Sequence, residues 1–539
     1  MQTIYGRTTS AEIPSEQWTR HKEDARCVAD LLANHPLALI QAGAYVARGY
    51  CTLSQYPAVY QRQQLRLLRF HSAQAQARYP DVYAAFEASA QAIKSSQKRV
   101  ARDALDSLSI ISMMSYSELP LPLFEAAWQG VRYSNTEENN KVDHLSSWHV
   151  ARLMPFMQSG SEAWDSFRMA EACDLLKSLA LISTQKDSDC TTVIVMHPLT
   201  HAWAQVRQKV STQNQYWVST GSIIALARYG SNIWQTHERK LKPHLHSWLK
   251  KDMKKVFLCG PALMVTRMLY PCGMILHGMR DDEKLDKFLN ELFTALAINV
   301  ANVQQKWLPL FKLRAKNFMD IHEIEQAVRL LEQVVRIEKK RLAEDHPDRL
   351  ASQHELAQAY QANGQIREAV DLLEHVVKIK KKRQAEDHPA RLASQHALAQ
   401  AYQANRQVRE AVDLLKHVVE IQEKRLPEDH PHRLTSQHNL AGVYKANGQV
   451  REAVDLLEHV VRIEKKRLAE DHPHRLASEH ALAGAYEANG QIRQAVDLLK
   501  HVVEIRKKCL AENDPDRLAA QHDLARLYQA NRQVREAVS

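Results

Sequence analysis

From residue 345 onward, apolar and polar positions fall into one pattern that returns every 42 residues. In the unit 345–386, Leu350, Leu356, Ala357 and Tyr360 share one face of a helix that starts at Pro347. Ile366, Ala369, Val370, Leu373, Val376 and Val377 follow at the i, i+3, i+4, i+7 spacing of a second amphipathic helix. Pro347 suits a first helical turn, where its missing N–H would have had no partner, and Asp345 or His346 supplies the cap. Asn363-Gly364 ends the first helix, because both residues tolerate left-handed backbone. The second helix closes on Lys380, Lys381, Lys382 and Arg383, placed to complement the negative end of its dipole. Neither helix can bury its stripe alone, so the pattern predicts stacked hairpins sharing one continuous core.

His346-Pro347, His388-Pro389, His430-Pro431, His472-Pro473 and Asp514-Pro515 keep this step. So do Tyr360, Tyr402, Tyr444, Tyr486 and Tyr528, and likewise Ala369, Ala411, Ala453, Ala495 and Ala537. Asn405-Arg406 and Asn531-Arg532 keep the Asn but lose the Gly. A degenerate unit precedes the array, with Phe318 at the Tyr position and Ala327 at the Ala position. The sequence reaches Ser539 inside a second helix, so the last unit is expected to be incomplete.

The front of the chain has no such period. "LALIST" and "TTVIVM", joined around Lys186-Asp187-Ser188-Asp189, read as a β-hairpin. The apolar window 256–279 contains Arg267, His277 and two prolines, which predicts a buried helical pair and no membrane span. The expected architecture is mostly α: helices over 1–95, a small helix-and-hairpin domain over 96–212, a helical linker over 213–302, and the solenoid over 303–539.

Charge changes this picture in one place. The net +10 could suggest nucleic acid, yet the unit 345–386 carries seven basic and seven acidic side chains and the unit 387–428 six of each. The excess lies earlier, and 238–255 alone contributes +5. A solvated helix face explains that stretch better than a nucleic-acid contact. The seven cysteines are scattered and form no CxxC, and the N-terminus has no apolar run of signal-peptide length, so a cytoplasmic protein is expected.

Candidate chemistry is sparse. No GxxxxGK[ST], no strand ending in paired acids and no supported Ser/His/Asp or Cys/His set occurs, so a non-enzymatic protein is expected. His354, His396, His438, His480 and His522 form a column, one per first helix, joined by Gln358, Gln361, Gln400, Gln403, Lys445 and Glu487. The column reads either as a ladder facing a peptide in a concave groove or as a half-exposed side chain copied with the repeat. Metal binding by the column is not expected, because stacked copies sit too far apart for one zinc ion. His375, His417, His459 and His501 on the second helices read as packing or surface residues.

Leu356, Ala357, Tyr360, Ala369 and Leu373 stand at spacings that resemble the tetratricopeptide repeat (TPR), and the longer period resembles its kinesin-light-chain variety. That resemblance implies an α-α superhelix that binds protein or peptide; near the His column, light-chain repeats hold peptide with Asn. "LLANHPLALIQAGAYVARGY" (31–50) resembles the "GLPLA" segment of NB-ARC nucleotide switches, with His35 in place of the preceding Gly. The 96–212 region resembles that family's winged helix, and "MHPLTHAW" stands where the family has "MHD". The resemblance implies nucleotide contact at Pro36 and phosphate sensing at His197, although Pro198 replaces the acidic residue. No cofactor is expected; ADP or ATP would require a P-loop domain upstream. The whole chain resembles a fungal NB-ARC–TPR (NLR-like) receptor truncated before its P-loop, which implies sensing in nonself recognition or regulated cell death. Expected partners are a protein or peptide in the groove and a second copy of the chain, with neither membrane nor nucleic acid. A kinesin-light-chain-like adaptor is the alternative.

Overall fold

The computed structural model describes residues 15–70, 80–133, 142–158 and 163–530. Ala537, Asn531-Arg532 and the incomplete final helix lie outside them. The chain divides into two compact units, Met1–Asn317 and Phe318–Ser539, and both are predominantly helical. No described helix is long and apolar enough to cross a membrane.

In the front unit, helix Arg99–Ser112 leads to β1 (Leu119–Pro120), helix Pro122–Gly130, helix Ser166–Ser178, and then the hairpin β2 (Ser183–Lys186) and β3 (Thr192–Val195). The three strands pair antiparallel in the order β1-β3-β2, with Leu119 opposite Ile194 and Thr184 opposite Ile194 from the other side. The hairpin turn forms because Asp187 Oδ1 accepts the Asp189 and Thr191 N–H groups at 2.9 and 2.8 Å. Arg168 donates to both oxygens of buried Asp103 at 2.9 Å, tying helix Ser166–Ser178 to helix Arg99–Ser112.

Helix Val210–Gly230 runs through the middle of this unit. Gly130 and Gly230 let it cross helix Pro122–Gly130 backbone to backbone. A Cβ on Gly130 would lie 2.0 Å from Leu226 O, and one on Gly230 1.8 Å from Ala126 O. Trp217 and Trp248 stack at 4.5 Å, and each indole N–H donates to the other's backbone carbonyl. Gly221 leaves the room they need. The apolar window forms one continuous helix, Ala262–Gly278, where the pattern suggested a pair. Pro271 sits inside it and Arg267 is 3% exposed.

In the second unit each repeat is helix A, a tight turn, and helix B: Pro347–Ala362 with Ile366–Arg383, Pro389–Ala404 with Val408–Arg425, Pro431–Ala446 with Val450–Arg467, and Pro473–Ala488 with Ile492–Cys509. Helix Pro515–Ala530 is the fifth helix A, and Ile324–Arg341 is the helix B of the degenerate first unit. Leu356, Ala357, Ala369, Val370, Leu373 and Val377 are buried, as are their copies through the fourth repeat. Each interface encloses an apolar cluster made from one helix A, its helix B and the helix A that follows.

The cap is the histidine. His346, His388, His430 and His472 each accept the backbone N–H two residues on at 3.2 Å through Nδ1. Gly364, Gly448 and Gly490 take positive φ after helix A, and in the second repeat Arg406 is forced to φ +65°.

Candidate functional site

Helix A supplies the face on which a ligand could lie. Successive A helices pack directly on one another between the first and second and between the third and fourth repeats, and side chains bridge the other joints. They therefore form the inner, converging side of the stack, where solenoids present concave surfaces.

The histidine column sits at the joints between A helices. His354 Nδ1 lies 3.4 Å from Ser394 Oγ, and His438 Nδ1 lies 3.2 Å from Ser478 Oγ. Asn439 Nδ2 donates to His396 Nε2 at 2.6 Å. His480 contacts Asp523 Oδ2 at 2.9 Å and accepts from Arg506 at 3.2 Å. All four rings are half-buried, whereas the His522 side chain is 79% exposed. Burial holds His354 down at about 4, with the Lys380 cation adding to it, and burial also lowers His396 and His438. For these three the fold favours the neutral ring, and the column joins neighbouring repeats.

The other positions lie beside it. Gln358, Gln403 and Lys445 are exposed, and Gln361 and Gln400 are half-buried. Glu487 is held by both nitrogens of Arg526, at 2.5 and 2.8 Å. Asn439, Asp523 and Arg526 belong to the same face, and sequence reasoning missed them. A signal was present: one helix A position reads Glu355, Ala397, Asn439, Ala481, Asp523, and another reads Gln358, Gln400, Gly442, Gly484, Arg526. The copies differ on this stripe while their apolar stripes hardly change.

A second column went unread in the sequence. Lys380, grouped there with the cations that close helix B, is 7% exposed, and its Nζ donates to Ala390 O and Ser394 Oγ at 3.0 and 2.7 Å. The helix B curls that turn inward, and Glu338, Gln422, Glu464 and Arg506 are its buried counterparts. Burial raises the Glu464 carboxyl to about 7, helped by the Glu479 charge, while a Ser478 hydrogen bond and the Arg475 charge oppose the shift. The helix B histidines pair with linker acids: His375 with Glu344, His417 with Glu386, His459 with Glu428 and His501 with Glu470, at 3.1 to 3.4 Å.

In the front unit, Pro36 is the first residue of helix Pro36–Ala47. His197 caps helix Pro198–Val206, its Nδ1 accepting the Leu199 N–H at 3.1 Å. The His-Pro cap of the repeats thus recurs here, and it occupies the nitrogen that His197 directs to its own helix.

Residues 312–382 and 432–508 match one tetratricopeptide-repeat family model, and residues 391–432 match another. A crystal structure described as a Podosopora anserina putative kinesin light chain with nearly identical TPR-like repeats is 56% identical, covering 38% of this chain and 97% of that one, with a TM-score of 0.35. BtubC (BKLC) from P. vanneervenii is 16% identical, covering 43% of this chain and 92% of that one, with a TM-score of 0.34. None of the curated proteins matches the chain. The period, the His-capped A helices and the 56% identity lead to one conclusion: the chain belongs to the tetratricopeptide-repeat family, with repeats of kinesin-light-chain type.

Proposed function

We propose that the repeats form a scaffold that binds an extended or helical peptide along the A-helix face. The observation that carries this is the copy-to-copy variation on that face, at Glu355/Ala397/Asn439/Ala481/Asp523 and Gln358/Gln400/Gly442/Gly484/Arg526, beside apolar stripes that hardly change. A face with no ligand would be free to stay as uniform as the buried stripes. The groove mixes amides with both charges, so a polar, sequence-specific segment fits it better than an anionic polymer. Peptides selected by display on the full chain should lose about tenfold in affinity to the double variant Gln358→Ala, Gln400→Ala, with an unchanged melting temperature. Peptides that bind the variant as tightly as the wild type would remove the groove from consideration.

The finer reading is that the repeats are the sensor of an NB-ARC-type signalling receptor. The order of 99–195, a helix, a strand, a helix, three short helical turns, a helix and a hairpin, supports a winged helix with an insertion there, and "HPLAL" and "MHPLT" stand at matching places. On this reading His197 serves as a helix cap, not as a phosphate sensor. The adaptor alternative rests on the putative kinesin light chain among the similar structures. Light scattering separates the two: a receptor assembles into larger oligomers when the selected peptide is added, and an adaptor forms a fixed one-to-one complex.

A further inference from the structure

The basic stretch 238–255 contains two kinds of cation. Lys240 is held by Asp187, and Lys242 by Asp281 at 3.1 Å. Lys250, Lys251 and Lys254 instead line a cleft of about 810 Å³, where they meet Lys284 and Lys287 from helix Asp282–Ala295. Asp252 and Glu291 also line it, so the cleft carries a net positive charge. Lys251 reaches Asn214 Oδ1 at 2.8 Å. Among the described residues, no carboxylate lies within ion-pair distance of Lys250, Lys254, Lys284 or Lys287. Like charges gathered in a concavity focus the field and draw an anion to it. The floor is apolar: Met253 and Phe288 are 6% and 4% exposed, and Leu249 and Ala295 are partly open.

We propose that this cleft docks an acidic, partly apolar peptide segment of a partner protein, with carboxylates on the lysine rim and aliphatic side chains against Leu249 and Ala295. The rim contains lysine and no arginine, so it offers point charges without the planar fork that grips phosphate two-pronged. The backbone N–H of Lys254, which could cradle a phosphate, is already taken by Asp252 Oδ1 at 3.0 Å. Phe288 is buried, so no ring in the lining is open for a nucleic-acid base to stack on. The concave shape also suits a segment better than a flat bilayer.

The test uses the full chain and a fluorescent peptide of Glu-Glu-Leu repeats, read by anisotropy. Binding should weaken about tenfold in the variant Lys284→Gln, Lys287→Gln, and should fall steeply as salt is raised. The variant Lys339→Gln, Lys340→Gln, which removes two solenoid cations, should bind as the wild type does. Circular dichroism should show both variants folded, since the substituted side chains reach solvent. Three results would overturn the proposal: equal binding by the cleft variant, equal loss in the solenoid variant, or tripolyphosphate or single-stranded DNA binding the cleft more tightly than the peptide. The groove variant Gln358→Ala, Gln400→Ala should leave this peptide's affinity unchanged, which keeps the two sites distinguishable.

Discussion

At the residue scale, small departures from the repeated pattern have separable costs. Arg406 takes the left-handed backbone that Gly364, Gly448 and Gly490 adopt in the other repeats. Arg406→Gly should therefore stabilise the array by about 1 kcal/mol in urea denaturation, because the strain at a Cβ-bearing residue is relieved. The tyrosines offer a second comparison. Tyr402 OH donates to Glu374 at 2.7 Å, and Tyr360 and Tyr486 make the same bond to Glu332 and Glu458. At the equivalent place below Tyr444 the residue is Lys416. Tyr402→Phe should cost about 1 kcal/mol and Tyr444→Phe close to nothing. Equal losses in the two variants would show that the hydroxyl bond contributes nothing.

At the scale of the element, the helix A histidines and Glu464 of helix B titrate in opposite senses. The folded array holds His354 at about 4 against an ordinary 6.5, and depresses His396, His438 and His472 as well. The unfolded chain binds those protons first, so stability falls as pH drops from 6.5 towards 4. His354 alone contributes up to about 3 kcal/mol of this loss. Glu464 acts the other way: its carboxyl stands at about 7 against 4.5, so its share of stability is lost as pH rises through that window. Glu464→Gln should raise the melting temperature near pH 8 and change it little near pH 5. A rise of equal size at both pH values would mean that its proton is not the cause. In the front unit, Gly130→Ala should cost about 3 kcal/mol in a thermal melt, because the new methyl meets backbone rather than a movable side chain.

At the scale of the molecule, legibility tracked repetition. Leu356, Ala369 and Leu373 could be assigned to a core because each stripe is written several times over and any error would recur visibly. The front unit rests on single events, such as Gly130 meeting Leu226 or Trp217 stacking on Trp248, and no local pattern announces a partner that far along the chain. The candidate face was legible as a column of histidines. Its orientation was not, because periodicity says which residues share a face but not which neighbour that face meets. Lys380 shows the limit plainly. Beside Lys381, Lys382 and Arg383 it read as one more cation at the helix end, and helix geometry alone turned it inward onto Ser394.

The buried column Glu338, Lys380, Gln422, Glu464 and Arg506 also bears on how such a gene can change length. Near-identical 42-residue copies invite unequal recombination, which removes or adds whole copies in frame. Loss of residues 429–470 would leave the cap and the apolar stripes of every remaining repeat intact. It would set Gln422, in place of Glu464, against Ser478 and Glu479, leaving one buried acid fewer at the new junction. The shortened chain should fold cooperatively and, near neutral pH, lose less stability than one deleted copy would otherwise remove. Copy number can therefore drift at little structural risk, while the sequence of side chains along the A-helix face is rewritten at each exchange.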